Sequence, residues 1–413
     1  MRRNLFTCAV VLCLALAGSW LTGQERQPVV PAVLIKSAQE ASPGARDLAK
    51  LPPAQRHLYL SAKSGMEWLE RVNKPDGRFV PGFIPALRTP LEHDSYLHQA
   101  GAALTLARAA AYFQDARGTA IAKQAILTLL LETTTDKSTR FTAAPEAFLN
   151  RLASAGLLIQ AIHELPNPAA DLLQYADELT NYLQTQQQAD GSFALTIENA
   201  SARAEIIQQG TGPALHGLAR SHVHRPAPWK LDAVRKACVY YHAWWKQNKN
   251  LPMIPEHTAA YAEAYLATKD QGLAECVFEM NDWLCGLQYG HGDARRAHWA
   301  GGFSPSNDCK TQPAAPDIHS AAAAESLAQA CRVARAAGDA QRLQRYRTAL
   351  ENCLMFVTTL QYQESNTQHF ADWYRQNVLV GGFHLSHQDG NLRIDYTQHA
   401  VAALVQHLKY VAE

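Results

Sequence analysis

Two pairs of side chains repeat one spacing at opposite ends of the chain. Asp94 and His98 stand four residues apart, and so do Asp395 and His399. On a helix that spacing puts both groups of a pair on one face. A carboxylate beside an imidazole can orient it and set its pKa for proton transfer. Glu256-His257 and Asp317-Ile-His319 add two further combinations. Tyr396 lies next to Asp395, and Arg393 two residues before it. Arg393 and Arg296 can fork a carboxylate, and Trp299 can offer an indole face to a sugar ring. The catalytic candidates are therefore Asp395, Asp317, Glu256, His399, His319 and Tyr396. The substrate-binding candidates are Arg393, Arg296, Trp299, His98 and Asp94.

These acids stand at regular places. Asp94, Glu146, Glu205, Glu256, Asp317 and Asp395 each follow a loop and precede a small-residue run such as Ala100-Gly-Ala-Ala103, Ala153-Ser-Ala-Gly156 or Ala321-Ala-Ala-Ala324. A carboxylate at a helix start also caps amides and suits the dipole, which is the plainer reading for Glu146 and Glu205. Most of these loops open on a turn that ends in phenylalanine: Asp76-Gly-Arg-Phe79, Asp136 to Phe141, Asp190-Gly-Ser-Phe193, Gly301-Gly-Phe303 and Gly381-Gly-Phe383. The repeat around Asn248 to Pro255 lacks glycine and phenylalanine. A period of roughly fifty residues with two helices per unit marks a repeat architecture.

Six such units fit between Arg56 and Glu413, and the expected fold is all-α, a six-hairpin (α/α)6 toroid in one domain over residues 56–413. The small-residue helices suit a crowded inner ring. Helices carrying Trp68, Trp244, Trp245, Trp283 and Arg342 to Arg347 suit a half-wet outer ring. Closure would make the first and last units neighbours and bring the two Asp/His pairs together. The longest loops, Tyr289 to Pro316 and Gln363 to Ile394, would gather over one mouth with His291, Asp293, His298, Trp373, His384 and His387.

Several phrases resemble known families. Leu183-Gln-Thr-Gln-Gln-Gln-Ala-Asp-Gly-Ser-Phe193 and Trp283-Leu-Cys-Gly-Leu-Gln288 with Gly301-Gly-Phe303 resemble the repeats of terpenoid cyclases and protein prenyltransferases. Tyr265-Leu-Ala-Thr-Lys-Asp270 and Ala336-Ala-Gly-Asp339 resemble the six-hairpin glycosidases and uronate-processing α/α barrels. Both resemblances imply an α/α toroid and neither names a reaction. The cyclases' Asp-x-Asp-Asp motif is missing. Asp308-Cys309 with Asp317-Ile-His319 echoes the prenyltransferase zinc set without its spacing, so no metal and no cofactor are expected.

Near-balanced charge, +1 overall, and the lack of a Lys/Arg run exclude a nucleic-acid partner. Arg2 and Arg3 followed by the apolar run Leu5 to Leu16 read as a signal peptide over residues 1–23. A Pro, Ala, Ser and Gln-rich linker follows over 24–55, and the mature chain is expected to be exported, periplasmic or extracellular, without a membrane anchor. Six cysteines would remain, Cys238, Cys276, Cys285, Cys309, Cys331 and Cys353, with fifteen connectivities open. Gly-x-Ser-x-Gly, His-Glu-x-x-His, phosphate-loop and dinucleotide motifs do not occur.

The functional expectation is an enzyme acting on a poly- or oligosaccharide, with uronic acids among the substrates considered and with hydrolysis, β-elimination and C5-epimerisation all open. The alternatives are a terpenoid cyclase/prenyltransferase-like toroid, with an aromatic-lined cavity, and a non-catalytic scaffold whose acids serve only as caps.

Overall fold

In the computed structural model the described residues are 48–143, 150–195, 199–292, 294–307, 309 and 311–412. The expected signal peptide, most of the linker, Glu146, Asp293 and Asp308 lie outside them.

Among the described residues, twelve long helices alternate between two rings. The outer ring comprises α1 (Pro53–Arg71), α3 (Ala116–Leu130), α5 (Ala170–Gln186), α7 (Pro228–Gln247), α9 (Gln271–Cys285) and α11 (Ala340–Thr358). The inner ring comprises α2 (Tyr96–Phe113), α4 (Arg151–Glu164), α6 (Ala200–His224), α8 (Ile254–Thr268), α10 (Ser320–Ala337) and α13 (Ile394–Tyr410). A three-residue helix, α12 (Asp372–Tyr374), sits in the last long loop and runs into a π-helical turn. Each inner helix packs on the next, and α13 packs on α2, so the ring is closed. The fold is the six-hairpin α/α toroid. Its first helix starts at Pro53, three residues ahead of the expected Arg56. No described helix is long and apolar enough to cross a membrane.

Small residues set the inner spacing. A Cβ on Gly156 of α4 would run into the Pro213 backbone of α6, and one on Gly217 of α6 would meet Gly156. A side chain at either place would force the two helices apart. The outer ring is drier than expected, because Trp68 and Trp245 are fully buried.

The turns that end outer helices are docking devices. Gly77, Gly191, Gly301 and Gly381 all have φ near +90° (88, 91, 88 and 96°), a region open to glycine. In three repeats a glutamine amide then ties the turn to the next outer helix. Gln187 donates to the Gly191 and Ala233 carbonyls, Gln288 to Gly301 and Ala349, and Gln361 to Gly381 and Ser61. The second repeat uses a hairpin instead, β3 (Thr133–Asp136) with β4 (Thr139–Thr142).

Where the ring closes, three short strands bridge first and last repeats. β1 (Gly82–Ile84) pairs antiparallel with β2 (Thr89–Pro90) and with β5 (Leu392–Arg393). Any side chain at Gly82 would collide with the Leu392 carbonyl. This sheet holds the loops that enter α2 and α13.

Candidate functional site

Closure brings Asp395, in the first turn of α13, against His98 of α2, with Oδ2 3.8 Å from Nε2. Asp395 is already engaged. Arg393 clasps it bidentately, Nε to Oδ1 at 2.9 Å and Nη2 to Oδ2 at 3.0 Å. The guanidinium also lies 4.9 Å over the Tyr396 ring and 3.3 Å from His98 Nε2. Burial pulls the His98 pKa below the usual imidazole value, outweighing Asp395. Burial pushes the Tyr396 phenol up, so it stays protonated.

Other expected groupings dissolve. Asp94 lies before the N-cap Ser95 and does not pair with His98; it accepts from Arg78 (2.9 Å) and Gln99 (2.8 Å), and Arg78 reaches on to Glu132. Asp317 accepts from the backbone N and Nδ1 of His319 in a local turn, and His319 is 58% exposed. The His319 ring meets Tyr396 edge-on. His257 turns away from Glu256, fully buried, toward the Met253 carbonyl and Thr211. Glu205 is exposed inside α6, whose cap is Asn199. Arg296 stacks over Trp299, which packs on Tyr289, and the neighbouring His298 meets His387, so the two longest loops touch.

A second layer lies deeper, on the inward faces of the inner helices. Glu256 of α8 takes a hydrogen bond from His216 Nδ1 of α6 at 2.8 Å and a longer one, 3.4 Å, from Gln160 of α4. His399 of α13 turns from Asp395 to Glu325 of α10, Nδ1 to Oε1 at 2.7 Å, and Gln406 donates to the other Glu325 oxygen. Glu256 and His399 side chains are 31% and 36% exposed although both belong to the inner ring. Both side chains are thus within reach of solvent on the inner ring.

The two groups are poised oppositely. Burial disfavours the Glu256 carboxylate, but the charge and hydrogen bond of His216, with Arg108 and Gln160, win and lower its pKa. Burial disfavours the His399 cation, but Glu325, with Asp395 and Glu256, wins and raises it. The charged form is favoured on both groups, the carboxylate of Glu256 and the imidazolium of His399, and each is backed by a partner of the other type.

Beneath them lies a charged floor. Arg108 donates to Glu164 (3.1 Å), and Arg220 bridges Glu164 (3.3 Å) and Glu263 (3.1 Å). Burial opposes the charge of Glu164, but the two guanidinium groups hold its pKa at about 2. Beside them Gln329 links to Gln406 and Arg332.

His216, Glu325, Gln160, Arg108, Glu164, Arg220 and Glu263 were not singled out from the sequence. A signal was present. Gln160/Glu164, His216/Arg220 and Glu325/Gln329 each place two polar groups at i, i+4 on a helix otherwise rich in small residues. Among the described residues no group of three or more His, Cys, Asp or Glu side chains is placed to hold a metal ion.

No family model and no curated protein matches the sequence. Solved structures do match in fold. A heparin-specific unsaturated glucuronyl hydrolase superposes with a TM-score of 0.57 at 13% identity, over 86% of this chain and 97% of that one. A cellobiose 2-epimerase from Bacillus thermoamylovorans gives 0.63 at 10% identity, over 86% and 99%. An α-1,6-mannanase from a Salegentibacter species gives 0.56 at 9% identity, over 86% and 99%. At these identities the likeness establishes the toroid fold.

Proposed function

We propose that the protein is a carbohydrate-active enzyme that moves protons on a sugar bound in the central cavity, with Glu256 as general base and His399 as general acid. The observation that carries this reading is a pair of partly exposed, buttressed groups on inner helices: Glu256 is hydrogen-bonded by His216, which favours its carboxylate, and His399 is hydrogen-bonded to Glu325, which favours its protonated form. A base and an acid held in their working forms at the same pH are what enolisation-type chemistry needs. Epimerisation and isomerisation at a sugar carbonyl begin that way, as does β-elimination from a uronate. The superposing hydrolase, epimerase and mannanase all act on sugars, which supports the substrate class.

Hydrolysis fits less well. A glycosidase places two carboxyl groups across the bond, whereas Glu256, Glu325 and Asp395 are each committed to a cationic or imidazole partner. A uronate substrate also loses its expected anchor, because the Arg393 fork is closed on Asp395. Neutral sugars are therefore favoured. The polar inner wall speaks against an apolar terpenoid ligand, and the buttressed acids against a scaffold that uses them only as caps. The N-terminal segment would place this chemistry outside the cytoplasm.

The test is incubation with neutral mono- and disaccharides, and with uronate oligosaccharides, in deuterated water, followed by proton NMR. The expected result is deuterium on a ring or chain carbon, falling at least 100-fold in Glu256→Gln and His399→Asn. Sugar turnover without carbon-bound deuterium, or turnover intact in both variants, would sink the reading.

A further inference from the structure

Cys238 on α7 and Cys276 on α9 meet inside the outer ring with their Sγ atoms 2.7 Å apart. Both are buried thiols. The separation is tighter than two unbonded sulfurs rest comfortably, and a closing movement of well under 1 Å would reach the bond length of about 2.05 Å.

Basic and acidic side chains lie beside the pair. His242 lies one turn along α7 from Cys238, beside Cys276, and its Nε2 is 3.0 Å from Glu279. Lys246 reaches the same Glu279 oxygen at 2.9 Å. The Cys238 hydrogen bond holds the Cys276 thiol below its usual pKa against the opposing effect of burial, with His242 and Lys246 adding to it. The thiolate is the attacking species in disulfide exchange.

The other described cysteines are differently placed. Cys353 donates to the Ser320 carbonyl and Cys309 to that of Gly286. Burial pushes the thiols of Cys285 and Cys331 up to about 11 and about 12.

We infer that Cys238 and Cys276 form a redox site that closes to an intramolecular disulfide, joining α7 to α9. The partner reactant is a small disulfide such as oxidised glutathione. The Cys276 thiolate attacks one glutathione sulfur, making a mixed disulfide and releasing one glutathione thiolate. Cys238 loses its proton and attacks Cys276 Sγ, expelling the second glutathione. The pair gives up two electrons and two protons, and two reduced glutathiones result. The bond joins positions 38 apart in sequence and closes a loop that contains all of α8, the helix that carries Glu256. Such a cross-link restrains the unfolded chain and stabilises the fold.

The experiment uses the purified full chain, reduced with dithiothreitol and then exposed to oxidised glutathione. Both samples are alkylated in denaturant and read by intact mass and peptide mapping. The oxidised sample should carry two fewer alkyl groups and a cross-link between the peptides holding Cys238 and Cys276. Its thermal midpoint should lie several degrees above that of the reduced sample. Cys238→Ser and Cys276→Ser should each abolish the cross-link, and Cys331→Ser should keep it. If a serine variant does not fold, the wild-type map decides alone. An unchanged thiol count, a lasting glutathione adduct, or a cross-link between other cysteines would overturn the inference.

Discussion

Glu256 and His399 show how far a residue's neighbours outweigh its type. Both were visible as candidates, yet each is hydrogen-bonded to a partner that the spacing did not name. His399 was expected beside Asp395 and instead faces Glu325, because at its place on the inner ring the nearest carboxylate belongs to α10. The consequence is a directional pH profile. With Glu256 as base, kcat/KM should rise as pH climbs through a value below the ordinary carboxylate range. With His399 as acid, it should fall above a value higher than the ordinary imidazole one. Glu325→Gln removes the group that holds the His399 proton. Its alkaline limb should therefore move down toward about 6.5, while the acid limb stays where it was. Measuring kcat/KM against pH in both proteins decides this, and an unmoved alkaline limb would remove His399 from the role of acid.

The elements are organised by turns more than by helices. Residues Asp190-Gly-Ser-Phe193 and Gly381-Gly-Phe383 recur as turns between helices. They are joints. Gly381 needs its positive φ, and any Cβ there would strike the Ser64 carbonyl of α1. Gly338 is a useful control, since it also has positive φ but nothing lies within 4 Å of its Cβ position. Gly338→Ala should cost about 1 kcal/mol, the backbone term alone. Gly381→Ala should cost about 3 kcal/mol or more, because strain of that backbone adds to a clash that a packed interface cannot relax. Urea unfolding of the two variants measures the difference. Equal losses would mean that the turn does not dock as described.

At the scale of the whole molecule, closure is the deciding event. α13 fills the gap between α10 and α2 and lies on α1. β5 adds to β1, and the Arg393–Asp395 clasp reaches His98 across the same seam. A chain ended after Asn391 would leave the inner faces of α10 and α2 bare. It should lose the single cooperative thermal transition expected of the full chain and bind a hydrophobic dye. A sharp transition in the shortened chain, followed by circular dichroism, would show that the ring is not one cooperative unit.

What residue order determined by itself is the repeat: its number of units, its alternation of small and bulky helices, its glycine turns, and from these the toroid. Such features are periodic and local, set by helix packing and by backbone conformation at glycine, so they can be read along a line. The rim residues Asp395 and Arg393 were legible as a place but not as a relation, because a bidentate clasp between them cancels the roles that each suggested alone. Arg296 and Trp299 were picked out by type, and they stack on each other. His216, Glu325 and Gln160 were decided by the tertiary structure, because they meet their partners on other inner helices, 40 to 96 residues away in sequence. Whether a carboxylate keeps its charge depends on which groups surround it in three dimensions and how much water they leave it. Only the closed ring sets that.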